Sequence, residues 1–94
     1  MPDVPEVRSN HDANRFEITT ASGIAVLKFE RTGDILDLQH TSVPEKVKGT
    51  GYGSALARAA LEHARQNHLK VVPTCAFVRT FMQRHKEYDD LRVR

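Results

Sequence analysis

Three glycines at alternate positions stand directly before a helical pattern, and they are the residues best suited to bind an anion. Gly49, Gly51 and Gly53 follow a strand-like segment that ends at Val43-Pro44 and a lysine-rich turn. Glycine permits positive φ angles and close backbone approach. The first N–H groups of a helix have no intrahelical partner, so a helix that starts behind such a loop suits a phosphate or pyrophosphate.

The glycine spacing excludes two common phosphate-binding motifs. The chain has no Gly-Lys-Ser/Thr of a nucleotide P-loop, and it has no Gly-x-Gly-x-x-Gly dinucleotide fingerprint. The alternative interpretation of the glycines is a structural turn that only connects a strand to a helix.

Cys75 and His40 are the candidate catalytic residues. Cys75 lies between a predicted strand end and a predicted helix start, where the helix N-terminus favours the reactive thiolate. The alternative is a buried, inert cysteine. His40 is predicted to share a strand face with Leu36 and Leu38, either as a general base or as a core-edge histidine bonded to a carbonyl. If adjacent parallel strands bring their carboxyl ends together, the two residues form a nucleophile and its base.

Four strands and a helix precede Cys75 in the predicted order of elements. Alternating apolar residues predict strands over 6–10, 15–19, 24–30 and 35–43, joined by tight turns. A helix follows the glycines and ends at Asn67-His68, a strand covers 69–75, and a second helix starts directly after Cys75. Tight turns favour an antiparallel meander, and the strand–helix–strand passage implies a parallel crossover. The predicted class is α+β, a meander extended by one parallel strand, with two helices.

The first helix has the clearest pattern. Its predicted buried face contains Leu56, Ala59, Ala60 and Ala64, and Arg58 with Glu62 is predicted to form an i,i+4 pair.

Composition limits the functional classes. The 94 residues suit one domain over 1–94, with 1–5 a frayed terminus. A net charge of +2 fits a small anionic ligand better than nucleic acid. One cysteine excludes an internal disulfide and a multi-cysteine zinc cluster, and no metal site is predicted. The sequence shows no signal peptide or membrane span, so the expected location is cytoplasmic, without a membrane partner.

The segment from Val43 to Leu56 resembles the acetyl-CoA motif of the GNAT (GCN5-related) N-acetyltransferases. That motif has Arg or Gln, two residues, Gly, any residue, then Gly or Ala, and here Lys48 takes the first position. Two further segments are similar to the small, single-domain GNAT-like subfamily. These are His40-Thr41 before the loop, and the run 69–78 with the later His85-Lys86-Glu87-Tyr88. Ala76 and Lys86 stand where that subfamily commonly has proline.

The resemblance implies a minimal GNAT-like fold that binds acetyl-CoA and transfers acetyl to an unidentified amine, as a monomer or weak dimer. It implies catalytic roles for Cys75 and His40 near the thioester. The alternative is a non-catalytic CoA-binding regulatory module. The implied cofactor-binding residues are Val43, Lys48, Gly49, Thr50, Gly51, Tyr52, Gly53, Ser54 and Phe77.

Other residues receive weaker roles from the same resemblance. Tyr88 lies where such enzymes place a general acid, although packing is the expected role here. The basic residues Lys46, Lys48, Arg79 and Arg84 are candidates for contact with the CoA 3′-phosphate, and the alternative for each is an exposed charge without a specific partner.

Overall fold

The computed structural model describes residues 6–93, and its five strands form a single mixed sheet. The strands are Arg8–Asn10 (β1), Arg15–Thr20 (β2), Gly23–Thr32 (β3), Ile35–Ser42 (β4) and Lys70–Val72 (β5). They lie side by side in chain order, antiparallel from β1 to β4 and parallel between β4 and β5. The predicted α+β class, with a meander and one parallel strand, is confirmed. The frayed terminus predicted at 1–5 lies outside the described residues.

The helices pack against one face of this sheet. Helix α1 covers Tyr52–Gln66 and α2 covers Ala76–Arg84, with 3-10 turns at Glu45–Val47 and Lys86–Leu91. Ala25, Leu27 and Phe29 of β3 alternate into the core, as the sequence predicts, whereas Lys28 and Glu30 lie exposed on the outer face. The described residues share one hydrophobic core, which α1 and α2 cover on a single side.

The buried stripe of α1 differs from the predicted one. Ala59 is only half-buried, because the stripe is rotated around the helix towards the larger side chain of Leu61. Residues at i, i+1, i+4, i+5 and i+8 form this stripe, which is a usual helical pattern for core contact. The buried residues are Leu56, Ala57, Ala60, Leu61 and Ala64.

Arg58 and Glu62 do not form the predicted direct pair. The Tyr88 hydroxyl lies between them, donating to Glu62 Oε2 at 2.6 Å and accepting from Arg58 Nη1 at 3.1 Å. Arg58 also lies 3.9 Å from a carboxylate oxygen of Glu87. The fully buried Tyr88 therefore connects the last turn of the chain to α1.

The predicted left-handed residue at the end of α1 is one position off. Asn67 has φ −106° as the C-cap, and His68 takes the left-handed conformation with φ 57°. The Asn67 side chain instead donates from Nδ2 to the carbonyl oxygen of His63 at 2.8 Å.

Strand β5 is shorter than the predicted 69–75. Its pairing with β4 ends at Asp37 and Val72, although β4 continues to Ser42. Pro73 follows immediately and has no N–H to donate, so it stops the ladder. The chain then returns to β4 at Cys75, whose N–H donates to the carbonyl oxygen of Leu38 at 2.9 Å. This break in pairing lies beside the start of α1 and places Cys75 next to the middle of β4.

Candidate functional site

The glycine loop gives α1 an N-terminus with open hydrogen-bond donors. Gly51 is the N-cap with φ 96°, and Gly49 has φ 80°. The first helical bond runs from Ala55 N to Gly51 O at 3.0 Å, so the N–H groups of the three preceding residues have no intrahelical partner. Within residues 6–93, no side chain caps this end, and no acidic residue lies in its first turn. The helix end is therefore electropositive and carries exposed N–H donors.

The space around Gly49 and Gly51 is open. A Cβ built on either residue meets no heavy atom of the described chain within 4 Å, so a ligand could approach the backbone directly. Their positive φ angles, rather than crowding, explain why both positions are glycine. The Thr50 hydroxyl donates to the carbonyl oxygen of Val47, which holds the loop together between them.

A cleft of about 500 Å³ opens at this helix end, and we call it the main cleft. All of the predicted cofactor-binding residues except Thr50 line it, and Thr41 is an additional lining residue. Thr50 faces a neighbouring depression that also contains Arg58 and His85. The residues lining the main cleft are Thr41, Val43, Lys48, Gly49, Gly51, Tyr52, Gly53, Ser54 and Phe77.

Phe77, in the first turn of α2, forms an apolar wall of the main cleft. Its side chain is 44% exposed, an unusual state for a phenylalanine. The ring packs so closely on Gly53 that a Cβ there would lie 2.9 Å from Phe77 Cζ. Gly53 is therefore required by this contact between α1 and α2, whereas Gly49 and Gly51 are required by backbone conformation.

Cys75 lies behind the main cleft rather than in its lining. It is the N-cap of α2, only 9% exposed, and its Sγ is 3.4 Å from the Thr41 hydroxyl. Burial raises the pKa of the thiol, but the hydrogen bond with Thr41 and the nearby backbone N–H groups of Val78 and Phe77 outweigh it. The pKa of Cys75 is therefore lowered from its usual value, which favours the nucleophilic thiolate.

His40 does not lie on the strand face predicted for it. The register of β3 and β4 shifts between Lys28 and Phe29, so that Lys28 pairs with His40 and Phe29 pairs with Leu38. Gln39 is the extra residue of this bulge, and an extra residue reverses the alternation of the strand beyond it. His40 is consequently exposed on the outer face, opposite to Leu36 and Leu38. The expectation that it shares their face, on which its pairing with Cys75 depended, is wrong.

Thr41 takes the inward position instead. It pairs with the buried Leu27 and contacts Cys75. Strict alternation from Leu38 places Thr41 on the outer face, so the sequence predicts no role for it. No local pattern marks the bulge, and only the pairing with β3 reveals it.

The other candidate residues lie away from the main cleft or have partners already. Tyr88 is a packing residue, and burial followed by its bond to Glu62 raises its pKa. His85 stacks on Phe81 with ring centroids 4.0 Å apart. Arg79 donates to the carbonyl oxygen of Thr74 at 3.0 Å. Among the four basic candidates, Lys48 lines the main cleft, with its Nζ 3.1 Å from Glu45.

The site can hold an anionic group and an uncharged chain side by side. The N–H donors at the start of α1 suit a phosphate or pyrophosphate. Val43 and Phe77 provide apolar surface in the same cleft. A meander, a glycine loop that opens a helix, and one parallel strand with interrupted pairing together define a GNAT-like arrangement.

Comparison with known proteins gives the family. A profile described as GCN5-related N-acetyl-transferase matches residues 15–91. The chain is 35% identical over 91 residues to protein NATD1 of Bos taurus, covering 87% of this chain and 80% of that protein. It is 35% identical over 82 residues to protein NATD1 of Homo sapiens, covering 82% and 73%. The chain belongs to the GCN5-related N-acetyltransferase family, as its resemblance to that family indicated.

A solved structure supports the same assignment. The fold is similar to the NMR solution structure of a GCN5-like protein from Staphylococcus aureus, with a TM-score of 0.74 and 25% sequence identity. The match covers 98% of this chain and 91% of that one. Over residues 6–93, no helix combines the length and hydropathy needed to cross a membrane.

Proposed function

We propose that this protein binds acetyl-CoA in the main cleft and transfers the acetyl group to an amine. One observation carries the proposal: the glycine loop, the uncapped start of α1 and the apolar side chains of Val43 and Phe77 line the same cleft. Acetyl-CoA has a pyrophosphate and an uncharged pantetheine arm, and these match the N–H donors and the apolar surface of the cleft. Membership of the family supports the same donor.

The proposed contacts follow from the donors present. The N–H groups of Tyr52, Gly53 and Ser54 would bind the pyrophosphate, with Gly49 and Gly51 allowing it to approach the backbone. The helix dipole adds about 0.3–1 kcal/mol at such a position.

The remaining cleft residues would hold the rest of the ligand. Val43 and Phe77 would contact the pantetheine arm, and Lys48 contributes a positive charge at the same mouth. Thr50 would act indirectly, because its hydroxyl holds the loop backbone through Val47.

Two chemical routes fit this arrangement. In the first, the amine attacks the thioester carbonyl directly. In the second, the Cys75 sulfur attacks that carbonyl, a new S–C bond forms, the bond to the CoA sulfur breaks, and CoA leaves as a thiolate that takes up a proton. The amine then displaces Cys75 and loses a proton. His40 is the predicted base for this second route, but its position on the outer face separates it from Cys75.

A ligand-binding measurement followed by mass spectrometry tests the proposal. Acetyl-CoA and CoA should both raise the melting temperature, because a ligand bound only by the folded state stabilises it. Adenosine without phosphate groups is the control, and it should have no effect. Absence of any shift with acetyl-CoA at saturating concentration would exclude the proposed cleft.

The second route predicts an acetyl adduct on intact wild-type protein after incubation with acetyl-CoA, and none on Cys75→Ala. An amine panel then measures transfer. Full transfer by Cys75→Ala without an adduct on the wild type would establish the direct route.

One observation favours the non-catalytic alternative. Over residues 6–93, the hydrogen-bond partner of the Cys75 sulfur is the Thr41 hydroxyl, which is not a base near neutral pH. A CoA-induced thermal shift without acetyl transfer to any amine would favour a regulatory CoA-binding module. The monomer or weak dimer and the cytoplasmic location stay predictions.

A further inference from the structure

Thr41 is the lining residue of the main cleft that also touches the candidate nucleophile. It lines the cleft together with Val43 and the glycine loop, and its Oγ1 lies 3.4 Å from Cys75 Sγ. Cys75 itself is buried and outside the lining. Thr41 therefore contacts both the sulfur and the space in which a ligand would lie.

The bulge at Gln39 is what puts Thr41 there. Without the extra residue, β4 would turn His40 inward and Thr41 outward, because the side chains of a strand alternate between faces. With the bulge, Thr41 pairs with Leu27, on the face that packs against the helices. The Cys75 N–H bond to Leu38 O, at 2.9 Å, holds the cysteine backbone against the same strand. Both partners of the Thr41–Cys75 contact are thus fixed by backbone pairing.

The Thr41 hydroxyl can form a hydrogen bond with the Cys75 sulfur, whereas His40 lies on the outer face of the sheet. The hydroxyl has one O–H to donate, and a hydrogen bond to a charged acceptor is worth more than one between neutral groups. The N–H groups of Phe77 and Val78 at the start of α2 lower the pKa of the thiol, but neither forms a capping hydrogen bond to the sulfur. Thr41 makes the side-chain hydrogen bond to it, from β4.

We propose that Thr41 is the positioning residue of Cys75: its hydroxyl donates to the sulfur, and its side chain limits the approach from the main cleft to the sulfur. The proposal deepens the proposed function, since it identifies the group that would present Cys75 to an acyl donor. Its first half concerns the thiol alone and can be measured without any acyl donor.

The experiment is alkylation of the only cysteine by iodoacetamide, followed over a range of about pH 6 to pH 10. In this reaction the thiolate sulfur forms a bond to carbon and iodide leaves, so the rate follows the thiolate fraction. Two variants separate the effect of the hydroxyl group from the effect of side-chain size. Thr41→Val keeps the size and removes the O–H, whereas Thr41→Ser keeps the O–H and removes a methyl group.

Thr41→Val should move the midpoint of the pH profile upward and lower the rate near neutral pH about tenfold, which corresponds to about one pKa unit. Thr41→Ser should keep the midpoint and raise the limiting rate at high pH, because access to the sulfur widens. Ser42→Ala is the matched control on the next residue of β4, which pairs with Val26, and it should change neither. In denaturant all four proteins should share one profile.

An unchanged midpoint in Thr41→Val would overturn the proposal, because the hydroxyl would then not stabilise the thiolate. If Thr41→Val does not fold, Thr41→Ala also removes the O–H and must show the same upward shift. Addition of CoA separates this inference from the proposed function. Protection of Cys75 by CoA supports the cleft as the route to the sulfur. A shifted midpoint without protection would uphold the role of the hydroxyl while rejecting the ligand site.

Discussion

Helix α1 ends in two different ways. At its C-terminus the chain satisfies its own carbonyl groups: Asn67 donates to His63 O from both its backbone N–H and its side chain, and Leu69 N donates to Ala64 O at 2.8 Å. Arg65 adds a positive charge to the last turn, where it complements the helix dipole. At its N-terminus, Gly51 caps the helix without a side-chain hydrogen bond.

The difference separates the structural end from the proposed binding end. A helix end left without such partners loses stability, since capping side chains typically contribute about 1 kcal/mol. At the start of α1 that contribution is missing, and the donors face a cleft. Changes at the N-terminus should therefore alter ligand binding more than stability, and changes at the C-terminus should do the reverse.

The largest expected effect is that of Gly51→Ala. At φ 96° an added Cβ is strained by about 1–2 kcal/mol, and relaxing that strain would move the donors of α1. Affinity for CoA should fall at least about tenfold, measured by calorimetry. Gly33→Ala is the matched control, since Gly33 also has a positive φ, of 60°, but lies in the turn between β3 and β4. It should lose a similar amount of stability and keep its affinity for CoA. Equal losses of affinity would contradict the comparison of the two ends.

Ser54→Asp should affect stability and binding in opposite directions. Ser54 is exposed in the first turn of α1, where a carboxylate stabilises a helix by about 0.3–1 kcal/mol. The same charge would repel a pyrophosphate, so affinity for CoA should drop severalfold while the melting temperature rises. Ser54→Asn, without the charge, should reproduce neither effect. A gain in both quantities would show that no anion binds at this end.

Most of the lining of the main cleft could be predicted from a continuous stretch, and the surroundings of Cys75 could not. The glycine spacing, the helix behind it and Pro73 are local features of the sequence. They predict most of the residues that line the main cleft. The relation of Cys75 to β4 depends on register, which one extra residue, Gln39, changes for every side chain after it.

Because of that single residue, the sequence predicts His40 as the neighbour of Cys75, whereas the neighbour in the structure is Thr41. The side chains alternate as the sequence predicts from Leu36 to Leu38, but no local pattern near Gln39 indicates a bulge. The pairing with Lys28 and Phe29 of β3, a separate strand, determines where it occurs. At the far end of α1, likewise, asparagine is a reasonable left-handed residue, yet here it serves as a side-chain cap and His68 takes that conformation.

A smaller effect is expected at the structural end of α1 from Asn67→Ala. The variant loses the bond from Nδ2 to His63 O, and a typical hydrogen bond contributes about 0.5–1.5 kcal/mol to stability. Unfolding in urea should show a loss in this range, with affinity for CoA unchanged. Weaker CoA binding in this variant would mean that the two ends of the helix are coupled.

The smallest effect concerns pH and again belongs to the C-terminal end. Burial lowers the pKa of His63 below 6.5, and the nearby His11 and Arg31 lower it further. The folded protein therefore binds fewer protons than the unfolded chain in the window below pH 6.5, so stability falls as the pH falls through it. Above that window His63 is neutral in both the folded and the unfolded state, and its contribution to stability is at its maximum. His63→Gln should show a flatter fall in unfolding free energy between about pH 7 and pH 5, measured in urea at each pH. A steeper fall would reverse the sign and mean that protonated His63, at the negative end of the helix dipole, is stabilised more by that end than it is penalised by burial.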